Sequence, residues 1–328
     1  METINILKRK IDYLFSSEGI FNSWARKKTS RGVTSILRTY IIVCLSFVVL
    51  YPLFYMISIA FRDASEILDP AVVWIPKTWT IDNIIETMDK VNYKVTLTNS
   101  AFNALVSTVF QIISCSLAGY GFARFNFKGK KIFFAGVLLS IIVPMQTVAI
   151  PMFMQVKFFD FFGIGTLIGL FTGIPMNISL YNTPWSMLLP AILGNGIRGG
   201  LYIYIFRQFF RGMPMELEDA ANIDGCGFIS TFTKIIVPLA RPPMLVVFIL
   251  SVIWYWNDIF ISSLFYSKAQ TLAMAVDGMA ARFALEYDIY QVQVFQQAGC
   301  LLMIIPVLVM YLFLQKYFMR SIDQTGLK

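Results

Sequence analysis

Between Arg38 and Arg62 the chain runs for 23 residues, Thr39–Phe61, without a single charged side chain. A helix of about 20 such residues, rising about 1.5 Å each, spans a hydrocarbon core about 30 Å thick. Uncharged runs recur at 95–123, 132–156, 161–197 and 289–315. Only 14% of the residues are charged and 57% are apolar, against about 25% charged in soluble domains. That balance excludes disorder and argues against an ordinary soluble enzyme. The chain reads as an all-α, polytopic membrane protein.

Two absences narrow the chemistry. No histidine occurs, which removes imidazole relays, His-based triads and histidine metal sites. Cys44, Cys115, Cys226 and Cys300 are scattered without metal or redox spacing, so they read as small apolar fillers. The N-terminal stretch lacks a small-residue cleavage pattern, and the first span is expected to stay as an anchor.

Six spans are predicted, over about 39–61, 95–123, 132–156, 186–206, 237–256 and 289–315. Residues 161–181, rich in glycine and proline, are expected to form an outer loop or re-entrant segment. Charge sorting supports this count. Of 27 Lys/Arg residues, 19 fall on one side and 7 on the other, with Arg198 left inside the fourth span. By the positive-inside rule both termini of this multi-pass protein are then cytoplasmic. The bilayer, and no nucleic acid, is the expected partner of the basic excess. An arm over residues 1–38 precedes the transmembrane domain, 39–328. In it Ile4, Leu7, Ile11, Leu14 and Phe15 recur at helical spacing around Lys8, Arg9 and Lys10, the pattern of an amphipathic helix on an anionic leaflet.

Two glycine motifs carry no chemistry. Lys128-Gly129-Lys130-Lys131 lacks the first glycine of a phosphate loop, because Arg124 stands there. Gly119-Tyr120-Gly121 lacks the flanks of an ion filter. Its small residues, Gly119 with Ala123 and Ser114 with Ala118, are four apart, which suits close helix packing. Arg198, in Asn195-Gly196-Ile197-Arg198-Gly199-Gly200, is different. An intramembrane charge costs a few kcal/mol on insertion scales and defaults to a functional hypothesis. Two readings stand open: it contacts a polar solute or an acidic neighbour, or it snorkels outward where the glycines open the helix.

The cytoplasmic loop 207–241 carries most information. Pro214 opens a helix in which Glu216, Glu218 and Asp219 load the first turn with negative charge. Asp224-Gly225 ends it, and a second short helix is predicted over Phe228–Ile236, before Pro238. A protruding elbow with small residues on one face, and no enzyme chemistry around it, reads as a docking device.

At this loop the chain resembles a known family. Asp219-Ala220-Ala221, then Asp224-Gly225 and Pro238, is similar to the EAA loop of ABC importer permeases, with Asp219 in place of the usual Glu. Trp74-Ile75-Pro76, Asn99-Ser100, Ala118–Arg124, Val143-Pro144 and Trp256-Asn257-Asp258 extend the likeness to about residues 38–328. The subfamily resembled is the carbohydrate importer half typified by the second membrane subunit of the maltose system. The resemblance implies a non-catalytic permease that pairs with a second, homologous permease. Two ATPase subunits would bind ATP and Mg, and an extracellular or periplasmic solute-binding protein would deliver the cargo. It also implies that Glu218, Asp219, Ala220, Ala221, Asp224, Gly225 and Pro238 serve ATPase coupling. Sugars are held by polar side chains and aromatic rings, so the pathway candidates are Arg198, Asn195, Asn103, Gln146, Trp254, Trp256 and Asn257. Other cargoes (peptides, amino acids, polyols) fit the same architecture. An ion-coupled transporter would instead show intramembrane acids, and no predicted span interior contains one.

Overall fold

The computed structural model describes residues 6, 12, 17–67, 69, 74–173, 176–268 and 270–325. Ile4, Leu7, Ile11, Leu14 and Phe15, on which the expectation of an amphipathic arm rests, lie outside them. Among the described residues the regular elements are helices, joined by turns and loops, with two isolated β-bridges, Arg62 to Trp79 and Phe159 to Ile178. The chain divides into two units. Residues 1–58 with 73–75 form one, and the remainder forms the other.

The first unit is built on α1, Ser17–Ala60, which contains Pro52. It runs through the boundary expected at Arg38 without a break. Its residues from Ile36 to Phe54 expose long apolar side chains on every face, and Tyr51 meets Trp74 edge-on with centroids 4.8 Å apart.

In the second unit, α2 (Asp82–Lys90) precedes α3 (Tyr93–Arg124). Then come α4 (Lys130–Ile142), α5 (Met145–Lys157), α6 (Ile164–Thr172), α7 (Trp185–Ile192) and α8 (Gly199–Gly212). The elbow consists of α9 (Glu216–Ile223) and α10 (Phe228–Leu239). After it follow α11 (Arg241–Trp256), α12 (Phe260–Phe265), α13 (Leu272–Asp277), α14 (Met279–Phe283) and α15 (Ile289–Thr325). Three helices, Thr34–Ala60, Tyr93–Arg124 and Ile289–Tyr317, are long and apolar enough to cross a membrane, or up to five segments if each bent pair is one span.

Three predicted spans are therefore not single helices. Residues 132–156 divide into α4 and α5, which meet at 109°. Pro144 offers no N–H and drives Val143 into an extended conformation, ψ 123°. Residues 186–206 divide into α7 and α8 around a six-residue break. The fifth span starts at Arg241, because three prolines (238, 242 and 243) crowd the junction and α10 meets α11 at 75°. The second elbow helix also runs past its predicted end at Ile236, since a widened π turn over Phe232–Ile236 accommodates Pro238. Residues 161–181 contain the short α6, closed back by the Phe159–Ile178 bridge.

α3 is the spine of this unit, packing against α7, α8 and α11. Its polarity is inverted relative to a soluble helix. Ser100, Asn103, Ser107, Thr108, Gln111, Cys115 and Gly119 recur every three or four residues and are buried. Phe102, Leu105, Val109, Ile113 and Leu117 face out. Small and polar residues allow close approach and interhelical hydrogen bonds, while lipid accepts the apolar outside. A Cβ at Gly119 would lie 2.6 Å from Phe206 Cβ and 2.9 Å from the Arg207 nitrogen, as the four-residue spacing of small residues anticipates.

α2 is clamped to the segment before α15. Lys90 Nζ lies 2.9 Å from Glu286 Oε2, and Tyr287 donates to Glu86 at 2.5 Å. The Glu286 carboxylate and the Tyr287 hydroxyl hold the Lys90 ammonium above its ordinary range.

Gln111 donates from Nε2 to the Ile197 carbonyl at 2.8 Å inside the break. Gln111→Leu strands that buried acceptor, and should destabilise the protein by about 1–3 kcal/mol. A lowered thermal unfolding midpoint in detergent checks this, with Gln208→Leu, on an exposed side chain, as the control.

Candidate functional site

Two places gather the residues that the sequence singles out. The first is the elbow. Met213 leaves α8 in an extended conformation, and α9 begins one turn later with Glu216, Glu218 and Asp219 in its first turn. It ends where Gly225 takes φ +78°, a left-handed conformation that lets Cys226 N return to the Ala221 carbonyl at 2.9 Å. α10 then starts at Phe228.

The candidate coupling residues do not share one environment. Asp219, Ala220, Asp224, Gly225 and Pro238 are exposed, whereas Ala221 is buried at 3%. Glu218 also points inward. Its Oε1 lies 2.7 Å from Nε of Arg124, with the two side chains 15% and 7% exposed. Arg124 Nη2 donates in addition to the carbonyls of Met213, at 2.9 Å, and Pro214, at 3.4 Å. One turn earlier on α3, the Tyr120 ring packs against Phe232 and Phe228 of α10, at 5.0 and 5.7 Å. The end of α3 therefore grips both elbow helices. The outward face is left with Ile223, Ile229, Met215 and Leu217, of which Ile223 is 87% and Ile229 75% exposed. Nothing in the sequence pairs Arg124 with the elbow, although it stands in the Ala118–Arg124 stretch of the family likeness. An ion pair across such a long sequence separation has no spacing signature.

The second place is the α7–α8 break. Here the backbone leaves helical geometry, and its polar groups are met from neighbouring helices. Ser114 Oγ donates to the Ala191 carbonyl at 2.7 Å, Gln111 serves the Ile197 carbonyl, and the Ile197 N–H donates to the Tyr255 hydroxyl at 3.2 Å. Arg198 stands at the start of α8 with φ +59°. Its guanidinium lies over the Trp254 ring, 4.3 Å from the centroid, a favourable cation–π distance. Among the described residues no carboxylate pairs with it. A cavity of about 260 Å³ opens beside it, lined by Asn195, Arg198, Gln155, Ser140 and residues of the α4–α5 bend. Two interrupted helices thus share one cavity, with Asn195, Arg198, Gln155 and Ser140 set among apolar residues such as Val143, Val148 and Met152.

Of the seven pathway candidates, Arg198, Asn195 and Trp254 come together here. Asn103 is buried and accepts from the Tyr266 hydroxyl at 3.3 Å. Trp256 is buried too, its Nε1 donating to the Met303 carbonyl at 3.1 Å. Asn257 donates to the Ile253 carbonyl at 2.9 Å, closing the end of α11, and the Asp258 carboxylate caps α12 through Ser262 and Ile261. Gln146 is exposed in the first turn of α5, outside the cavity lining. Gln155, which the sequence did not single out, lines this cavity and a neighbouring one of about 220 Å³ that also includes Asn195, Trp185 and Asp160.

The elbow, the inverted polarity of α3 and the broken helices define a membrane transport component. Residues 112–324 match the family described as binding-protein-dependent transport system inner membrane component, and the chain belongs to that family. It is 28% identical over 309 residues to the arabinooligosaccharides transport system permease protein AraQ of Halalkalibacterium halodurans, covering 92% of this chain and 99% of that one. It is 30% identical over 281 residues to the trehalose transport system permease protein SugB of Mycobacterium tuberculosis, covering 85% and 92%. In fold it is similar to a chain in the crystal structure of a bacterial ABC transporter involved in import of the acidic polysaccharide alginate. The TM-score is 0.67 at 19% identity, covering 88% of this chain and 98% of the other.

Replacing Gly225 by Val forces a β-branched residue to φ +78°, a strain of about 1–2 kcal/mol at that position. The elbow should then open locally, seen as faster proteolysis at the α9–α10 turn with the rest of the chain still protected.

Proposed function

We propose that this chain is a permease subunit of a binding-protein-dependent ABC importer, forming half of the pathway for a sugar or oligosaccharide. The observation that carries this reading is the elbow. It is a short acidic helix, held from behind by α3, with Ile223 and Ile229 bare on its outward face. Such a face suits a cleft on a partner. Family membership supplies the kind of machine, and the sugar names of the relatives supply the class of cargo.

In this reading six spans cross the inner membrane of a bacterium with both termini in the cytoplasm, and the elbow is the cytoplasmic coupling helix between spans four and five. The residues that meet an ATPase are Asp219, Ala220, Asp224 and Gly225, with Ile223 as the apolar contact. Glu218 and Ala221 serve from inside the elbow, and Pro238 sets the turn into α11. The chain makes and breaks no bonds itself. ATP and Mg belong to two ATPase subunits, a second permease completes the pathway, and a solute-binding protein loads it. Arg198, Asn195, Gln155 and Trp254 form this subunit's share of the solute site. There the guanidinium and amides bond hydroxyls, and the indole offers an apolar face.

One observation favours a narrower second reading, an acidic sugar. Among the described residues no carboxylate pairs with Arg198, and a fold neighbour belongs to an importer of an acidic polysaccharide.

The test is co-purification of the assembled transporter, followed by ATPase stimulation with solute-loaded binding protein. Neutral oligosaccharides should stimulate hydrolysis, and peptides or amino acids should not; the reverse pattern rejects the sugar assignment. Stimulation by uronate-containing oligosaccharides alone selects the second reading. Arg198→Ala should lower the apparent affinity of uptake about tenfold, the scale of one lost charged hydrogen bond, with ATPase subunits still bound. Uptake kinetics equal to the wild type would reduce Arg198 to a structural charge.

A further inference from the structure

We propose that Arg124 and Glu218 form a strut that carries movement of the elbow into α3, and through α3 to the α7–α8 break. This rests on the reading of the elbow as the ATPase dock. In sequence the elbow joins α8 to α11, so those two helices are the obvious recipients of any push. The side-chain contacts point elsewhere. Glu218 is tied at 2.7 Å to the last residue of α3, and both side chains are withdrawn from solvent. The same guanidinium holds the Met213 and Pro214 carbonyls, which belong to the linker between α8 and α9. Arg124 thus fixes the elbow and its incoming linker to one point.

A single ion pair on an exposed hinge bends. This one is braced. Tyr120, four residues before Arg124, packs against Phe210 of α8 and against Phe228 and Phe232 of α10, with centroids 5.0–5.7 Å apart. Displacing α9 without α3 requires breaking a buried pair and sliding this aromatic group, so the two move as one body. Further along α3, Ser114 holds the Ala191 carbonyl at the end of α7, and Gln111 holds the Ile197 carbonyl inside the break that ends in Arg198. The elbow and the cavity therefore attach to one rigid helix, at its end and near its middle. Coupling between distant sites travels through rigid elements of this kind. Glu218 is then a positioning residue, distinct from the exposed acids beside it.

The experiment uses the full transporter with its ATPase subunits, in proteoliposomes. A cysteine introduced as Asn195→Cys reports the cavity, through its labelling rate with a membrane-impermeant maleimide, with and without ATP and vanadate. Arg124→Glu and Glu218→Arg should each reduce the ATP-driven change in labelling about fivefold or more, while ATPase content and hydrolysis persist. The double exchange, which restores an ion pair of reversed polarity, should recover most of the response. Glu218→Gln removes the charge at nearly constant volume and should give a smaller loss, about twofold, even if the reversals fold poorly.

An unchanged response in all these variants overturns the strut. So does loss of the ATPase from the single variants, or a double exchange no better than either single. Ile223→Asp separates this from the docking reading, since it alters only the exposed tip. ATPase retained in full on that variant rejects the dock, whereas ATPase lost there but kept on Glu218→Gln leaves the dock standing and isolates the strut.

Discussion

Backbone that leaves a helix inside an apolar bundle must find partners for its N–H and C=O groups, because no water is there to supply them. The α7–α8 break meets this requirement with side chains from two other helices. Gln111 and Ser114 of α3 serve the Ile197 and Ala191 carbonyls, and Tyr255 of α11 receives the Ile197 N–H. Much else follows from those bonds. They require polar residues on the buried face of α3, and they fix how α3 and α11 are turned. They also hold open the bend that exposes Arg198, Asn195 and the cavity. Without them the break would close into a continuous helix or open to the bulk.

The same helix connects the elbow to the cavity. α3 approaches α8 closely enough that Gly119 leaves no room for a methyl group against Phe206. Close packing of this kind is stiff, since its atoms cannot slide without colliding. At the end of α3 the tie is ionic and aromatic, through Arg124 and Tyr120; near the middle it is hydrogen-bonded, through Gln111. A permease with no catalytic group of its own works only by transmitting displacement, and a rigid spine with partners at both stations is a physical means of doing so.

The parts legible in the sequence are those written in local pattern. Uncharged runs marked the apolar helices, and the acids of Glu216–Asp219 with Asp224-Gly225 marked the elbow, because capping, dipole and turn chemistry act over a few residues. Interruptions were harder to read. Pro144 and the glycines around Arg198 were visible, yet uncharged composition alone cannot distinguish a straight span from a pair meeting at 109°. The sorting of polar candidates was invisible for another reason. Asn103 and Trp256 have the composition of solute contacts, but each is consumed by a partner far away in sequence, Tyr266 and Met303. Nothing along the chain marks Arg124 as the partner of Glu218, so local pattern does not separate it from the exposed acids beside it.

Arg198 carries two costs that a glycine at the same place would not. Its left-handed backbone, φ +59°, is worth about 1–2 kcal/mol of strain in a residue with a Cβ. Its charge lies in a segment read as membrane-spanning, where insertion scales assign a few kcal/mol more. The chain uses glycine at positions 194, 196, 199 and 200, all around it, so the turn itself does not demand arginine. Stacking on Trp254 recovers part of the deficit, about 0.5–2 kcal/mol for such a contact, and among the described residues no carboxylate recovers the rest. The side chain therefore serves something that the turn does not need. A polar solute entering the cavity would meet the guanidinium, backed by the Trp254 ring, and the Asn195 and Gln155 side chains that line it, at a point where two helices are already interrupted.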